Sequence, residues 1–499
     1  MTFTKLLPSL LCLSLCLSVS AQMTPQPELG KRLHSRILDW HKGAKRSDQK
    51  LKVVYFHAAD QDPLLDYQAR MDRIMKDIQS FYRDEIARNG FGETTFPLEL
   101  KEDGDLKLHV VHGASPAASY SYASGDLVRR EVKNAMKGTF NLEEEFVLII
   151  CGLSQEREDG VHVFHSPYYG MGADQRRGIC FAADSRLQDT LYFEDDSTPF
   201  RYEEHNGSFQ RTLGGFNTLY IGGIAHELGH GLSLPHNGES KREKQSIGTA
   251  LMGSGNYHYR AEKRGKKGTF MSLASSLRLA VHPLFTGTRK QVETKGGATI
   301  TDVSFSRDQT ALHIEGRVTS ELETIGVIAY VDPEGGKNYD ARTWVAEVTD
   351  GKFKLETNTW KTGKHALRLA FVHVNGSVTT IGFPYEINDK RQPREDLLNG
   401  EWILQRALTS LTSRKKGAME DIMRDAKKRD VSKVHMAMLK HLQNRNERPR
   451  LVNPAKTIKR SLYLSDAEWK SAETGWGKPR RNYYAIDNNR QSPLLLPGP

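Results

Sequence analysis

Cysteine is scarce in this chain of 499 residues: there are four, and Cys12 and Cys16 sit in the apolar N-terminal stretch. The remaining pair, Cys151 and Cys180, allows one disulfide at most. A bridge would close a loop of about 30 residues, contributing about 3 to 4 kcal/mol in the chain-entropy model. Two buried free thiols are the alternative, and export would permit oxidation. Long apolar runs are lacking too. Beyond the N-terminus none approaches the roughly 20 residues that cross a bilayer, so no transmembrane segment is expected. No internal repeat stands out.

The centre of the chain also lacks an excess of charge. The net charge is +10, but residues 390–499 hold 24 Lys and Arg against 12 Asp and Glu, so the preceding residues sum to −2. The basicity belongs to the tail. A solvated surface is its ordinary reading; contact with an anionic polysaccharide or other glycan is the functional one, and no nucleic-acid partner is expected.

What is present begins with a targeting signal. Lys5 precedes "LLPSLLCLSLCLSV", and Val19 and Ala21 occupy the small-residue positions of a cleavage site. Residues 1–21 read as a secretory signal peptide, placing the protein outside the cell or in the periplasm. A membrane anchor is disfavoured because the run is short and no stop-transfer charges follow. A chain of 56.3 kDa exceeds one ordinary core, so several domains are expected.

Residues 22–50 are polar and read as a flexible leader or short pro-segment. From 51 to 285, strand-like runs ("KVVYFHAA", "LKLHVVHG", "EFVLIICG", "RGICFAADS") alternate with helical patterns, as in an α/β domain with a mostly parallel sheet. Residues 290–388 contain seven short segments of alternating polarity, the pattern of an antiparallel, immunoglobulin-like β-sandwich. Residues 391–450 read as a charged helical linker, and 451–499 as a basic tail.

Function concentrates in "GIAHELGHGLSLPHN", residues 223–237. Ile221, Ile224, Ala225, Leu228 and Leu232 keep helical spacing. His226 and His230, four apart, then share one helix face and can ligate one Zn²⁺. Glu227 stands beside the first ligand, close enough to act as general base on a zinc-activated water. Gly231 lets the chain leave the helix, and His236 can return as the third ligand, leaving one tetrahedral position open. Chance would produce H-E-x-x-H in roughly 4% of chains of this composition, and adding the third histidine lowers that to about 0.2%.

"HELGHGLSLPH" resembles the signature of the metzincin zinc peptidases, H-E-x-x-H-x-x-G-x-x-H. "ALMGSGNY", sixteen residues beyond His236, is similar to the methionine turn of that clan, which makes Met252 the residue under the metal. The resemblance implies a metzincin-like catalytic domain over about 51–285 and hydrolysis of protein or peptide substrates. Ser233 stands where the family has glycine, at a position that often takes positive φ. Ser254 stands where some members place a metal-near tyrosine, leaving Tyr257 and Tyr259 as candidate transition-state or cleft residues, with packing as the ordinary role. The resemblance also admits a second structural Zn²⁺ or Ca²⁺ near His162, His165 and Asp174. With no cysteine in 22–50, the cysteine latch of some zymogens is absent.

Near the C-terminus, "YLSDAEWKSAETGWGKPRRN" (463–482) resembles the opening of an NPCBM carbohydrate-binding module, over too few residues to close a β-sandwich. The expectation is an exported zinc endopeptidase. The competing readings are a secreted, non-catalytic binding or adhesion protein on the same scaffold, and a zinc amidase acting on envelope polymers or glycoproteins.

Overall fold

The computed structural model describes residues 26–309, 311–333, 339–358, 361–413 and 417–446. The signal-peptide stretch, the tail 451–499 and the NPCBM-like segment lie outside the described residues.

The chain forms α1 (Pro27–His41), β1 (Lys52–His57), α2 (Tyr67–Arg88), β2 (Leu108–His112), α3 (Gly125–Ala135) and β3 (Phe146–Gly152). Three short strands follow, β4 (Ser154–Glu156), β5 (His162–Phe164) and β6 (Gly170–Ala173), then β7 (Gly178–Ala183). A hairpin of β8 (Pro199–Glu204) and β9 (Gly207–Thr212) leads directly into α4 (Leu213–Gly231). The main sheet runs β2-β1-β3-β7-β6 and is parallel except for the edge strand β6.

Helices cover both faces of this sheet, which is why β3 is apolar without alternation and buried throughout. Leu148 and Ile150 face the core shared with α2 and α4, whereas Val147, Ile149 and Cys151 face the smaller core under α3. This parity settles the cysteines. Cys180 is paired in register with Leu148, three residues from Cys151, so the two thiols lie in different cores on opposite faces. Both are free and buried, and the candidate disulfide is not formed. A second sheet, β4-β5-β8-β9, was not legible in the sequence because its strands are short and partly polar. Its aromatic cluster (Phe200, Tyr202, Phe216, Tyr220) seats the beginning of α4.

The flexible leader expected over 22–50 is instead built into the fold from Pro27. Leu29, Leu33 and Ile37 of α1 lie in the main core. Arg36 pairs with Glu323 at 2.6 Å and Glu347 at 3.0 Å, reaching across to the second half of the chain.

After α4 come α5 (Lys241–Ser246), a parallel pair β10 (Gly248–Ala250) and β11 (Gly268–Phe270), α6 (Leu273–Ala280) and α7 (Pro283–Thr286). The seven expected antiparallel strands are β12 (Thr299–Arg307), β13 (Leu312–Thr319), β14 (Thr324–Pro333), β15 (Arg342–Thr349), β16 (Lys352–Thr357), β17 (Gly363–His373) and β18 (Val378–Ile387). They do not form a two-sheet sandwich. They make one curled sheet in the order β12-β13-β16-β15-β14-β17-β18. β15 and β16 share only the pairs Val348↔Phe353 and Thr349↔Lys352, and there the sheet folds over its own core.

β14 is buried on both faces. Val327, Ala329 and Val331 enter the sheet's own core, while Ile325, Ile328 and Tyr330 pack on the α/β half. The segment expected as a helical linker forms α8 (Glu395–Ser413), α9 (Ala418–Lys428) and α10 (Lys433–Asn446). It is packed rather than extended. Leu398, Trp402, Ile403, Met419 and Ile422 complete the core of the curled sheet. Asn399 caps its edge, accepting from Phe305 N and donating to Phe305 O.

Candidate metal centre and its cleft

The site is built around the C-terminal end of α4. Thr212 caps the helix start by accepting from Gly215 N at 3.1 Å, and most of the helix is buried on every side. Glycine permits two close approaches. A Cβ at Gly229 would stand 2.5 Å from Met252 Sδ, and one at Gly170 would stand 2.3 Å from His230 Cβ. The methionine segment and the edge strand β6 can therefore both lie against the helix.

His226 and His230 share one face with ring centroids 4.9 Å apart. His236 returns to them, its Nε2 2.9 Å from His230 Nε2. The potential ligating atoms of the three lie within 4.8 Å of one another. Backbone carbonyls orient two of the rings: His226 Nδ1 is 2.6 Å from Leu251 O, and His230 Nδ1 is 2.8 Å from Leu234 O. A carbonyl only accepts, so each Nδ1 carries the proton and each Nε2 presents a lone pair. Burial pushes His226 and His236 down to about 3 and also lowers His230, keeping the imidazoles neutral. Neutral nitrogens with lone pairs converging at this separation suit a shared cation, and the donor set suits zinc.

The return from His230 to His236 passes through Ser233 at φ +69°, so serine occupies the left-handed position expected for glycine. Its Oγ is buried without a partner, while its carbonyl accepts from Arg278 Nη2 at 2.6 Å. Met252 is 1% exposed. Its carbonyl accepts from Asn237 N at 3.0 Å, and the neighbouring Leu251 carbonyl holds His226. The methionine segment thus braces both ends of the ligand set.

Glu227, His230 and His236 line a cleft of about 550 Å³ between the α/β half and the curled sheet. Burial pushes the Glu227 carboxyl up to about 8, against the opposing effect of the Gly170 N–H. Tyr168 and Tyr169 line the same cleft, as does Tyr122, whose ring stacks on His205 at 3.8 Å.

Tyr257 and Tyr259 are not part of this cleft. Tyr259 is 0% exposed and donates to Asp77 Oδ2 at 2.7 Å, whereas Tyr257 is exposed with the Arg211 guanidinium over its ring and acts electrostatically on Tyr339. The aromatic at the histidines is Tyr339, from the β14–β15 connection, with its ring centroid 3.8 Å from that of His236. No motif marks it; about a hundred residues separate it from the helix. Nor are His162, His165 and Asp174 gathered for a second ion. His162 stacks on Phe200 and Asp174 is held by Arg176 at 2.7 Å. Among the described residues, His226, His230 and His236 form the one cluster of three or more such ligands.

No protein-family model and no curated protein matches the chain. Solved structures do. Wild-type OgpA from Akkermansia muciniphila is 26% identical with a TM-score of 0.58, over 69% of this chain and 95% of OgpA. Catalytically inactive OgpA, in complex with an O-glycopeptide substrate (glycodrosocin), is 25% identical with a TM-score of 0.58, over 69% of this chain and 94% of that one. A shared fold with an enzyme now stands beside a converged H-E-x-x-H-x-x-x-x-x-H triad. This chain is a zinc metallopeptidase. A non-catalytic scaffold is thereby set aside. Among the described residues, no helix of the metallopeptidase is long and apolar enough to cross a membrane.

Proposed function

We propose that this metallopeptidase is an exported endopeptidase acting on O-glycosylated peptides, with His226, His230 and His236 as zinc ligands and Glu227 as general base. The observation that carries the reading is the position of Glu227 in the same cleft as the converging imidazoles. Zinc, when bound there, supplies Lewis acidity, lowering the pKa of a water and polarising a carbonyl.

The protein's own groups do the rest. Glu227 takes the proton of the attacking water and delivers it to the departing amine. Met252 and the Leu251 carbonyl hold the helix and the His226 ring in place. β6, the sheet's edge, passes Glu227 and His230 at Gly170, and an extended peptide can pair with that free edge.

Two observations support a glycosylated substrate. OgpA binds an O-glycopeptide. In this chain Tyr122, Tyr169 and Tyr339 line the cleft with partly exposed rings, giving flat amphipathic faces. The N-terminal signal supports export.

The test pairs metal analysis with cleavage of a glycopeptide and its unglycosylated twin. Purified protein should hold about one zinc per chain and cleave the glycopeptide faster, and a chelator should abolish both rates. Equal rates on the twins would refute the glycopeptide reading; turnover that survives zinc removal would refute the catalytic one.

A further inference from the structure

The wall of the cleft opposite α4 belongs to the curled sheet. Tyr330 of β14 and Arg368 of β17 are directly paired in register, and both line the cleft. The Arg368 guanidinium lies over the Tyr330 ring at 5.1 Å. Its contact with Asp332 is long, 3.5 Å from Nη2 to Oδ2, and Nη2 makes no hydrogen bond. Nη2 is sealed from solvent, while the side chain as a whole is among those lining the cleft. The side chain is thus held by a ring and a carboxylate, yet its guanidinium makes no hydrogen bond among the described residues.

The other cations of this wall and floor are committed. Arg278 donates to the Ser233 carbonyl, and Arg176, beside the cleft, is taken by Asp174. Arginine has donors and no acceptor, and with Nη2 sealed a carboxylate can still be met by a charge-assisted hydrogen bond from another nitrogen of the same cation. Tyr330 keeps that cation in position across the strands.

We propose that Arg368 is a specificity-determining residue of the cleft that receives a carboxylate of the substrate. The carboxylate is carried either on an acidic side chain near the scissile bond or on an acidic sugar of the attached glycan. This rests on the peptidase reading above. It extends it by giving the curled sheet a role in substrate choice, with chemistry on one wall and charge selection on the other.

The test measures binding rather than turnover, using zinc-loaded Glu227→Gln protein so that the outcome is independent of catalysis. Calorimetry compares two matched pairs: a glycopeptide with Glu or Gln flanking the scissile bond, and one with a uronic acid or its amide on the glycan. With Arg368 present, the acid of at least one pair should bind about tenfold more tightly than its amide. The pair that shows the preference identifies the source of the carboxylate. Adding Arg368→Gln should bring that ratio to within about twofold of unity, whatever happens to overall affinity. Arg368→Lys retains the charge beside Asp332 but loses the flat guanidinium held over Tyr330, so it should preserve the fold and still reduce the ratio. No acid preference in either pair, or a ratio unchanged by both substitutions, would overturn the proposal. Failure of the parent to cleave any peptide would instead count against the peptidase reading, leaving the binding ratio to judge Arg368.

Discussion

The two halves of this protein bury their residues by opposite devices. In the α/β half, a nearly all-buried helix lies between a parallel sheet and a methionine segment, and close approach at glycine brings ligands and braces together. In the curled sheet, alternation along β14 and β17 sends one set of side chains into a private core and the other against the first half, while β12, β13 and β16 bury one face only. The first arrangement concentrates chemistry within eleven consecutive residues. The second draws the residues that line the opposite side of the cleft from several strands and a connection, among them Tyr330, Tyr339 and Arg368. Catalytic machinery can therefore be local while its surroundings are not.

The sharpest way to break the comparison is Glu227→Gln. It should lower turnover about 100- to 10,000-fold with zinc content unchanged, measured by peptide cleavage and metal analysis side by side. Comparable activity in variant and parent would remove the chemistry from the α/β half. Leu369→Ala in the curled sheet should do the converse. Leu369 is fully buried, so its loss should cost about 2 to 5 kcal/mol in denaturant unfolding, with zinc affinity per folded molecule intact.

Gly170→Ala tests whether the edge strand positions a ligand. The added methyl meets His230 Cβ, which belongs to a helix that cannot easily move, so zinc affinity should fall about 10- to 100-fold in a competition titration. An unchanged affinity would mean that β6 yields instead. The smallest expected effect is Ser233→Gly. Relief of the left-handed serine, and of its unpartnered hydroxyl, should raise stability by about 0.5 to 1 kcal/mol with turnover unaltered. A destabilised glycine variant would show that the serine hydroxyl has a partner in solution.

Much of the site was legible because it depends on local periodicity. Positions 226 and 230 share a helix face whatever the tertiary fold, and the position of Ser233 flagged a left-handed turn. The misreadings share a cause as well. Tyr259 follows Met252 closely in the chain, but a short turn directs it to Asp77 on α2 instead of the cleft. Cys151 and Cys180 lie on adjacent strands, but their register puts them on opposite faces. The leader was judged by its polarity, yet three apolar residues at helical spacing were enough to seat α1 in the core. The sandwich was expected as two sheets because strand patterns carry no record of where a sheet folds over.

The amino-acid sequence alone determined the candidate ligands His226 and His230 on one helix face, the adjacent carboxylate and the alternation of strands and helices, since these follow from local spacing. The tertiary structure decided which aromatics face the histidines, which arginines reach the cleft and whether the thiols meet. Those outcomes depend on strand register and on the docking of two faces. A shift of one residue in register moves a side chain to the other side of a sheet, and no local pattern records that choice.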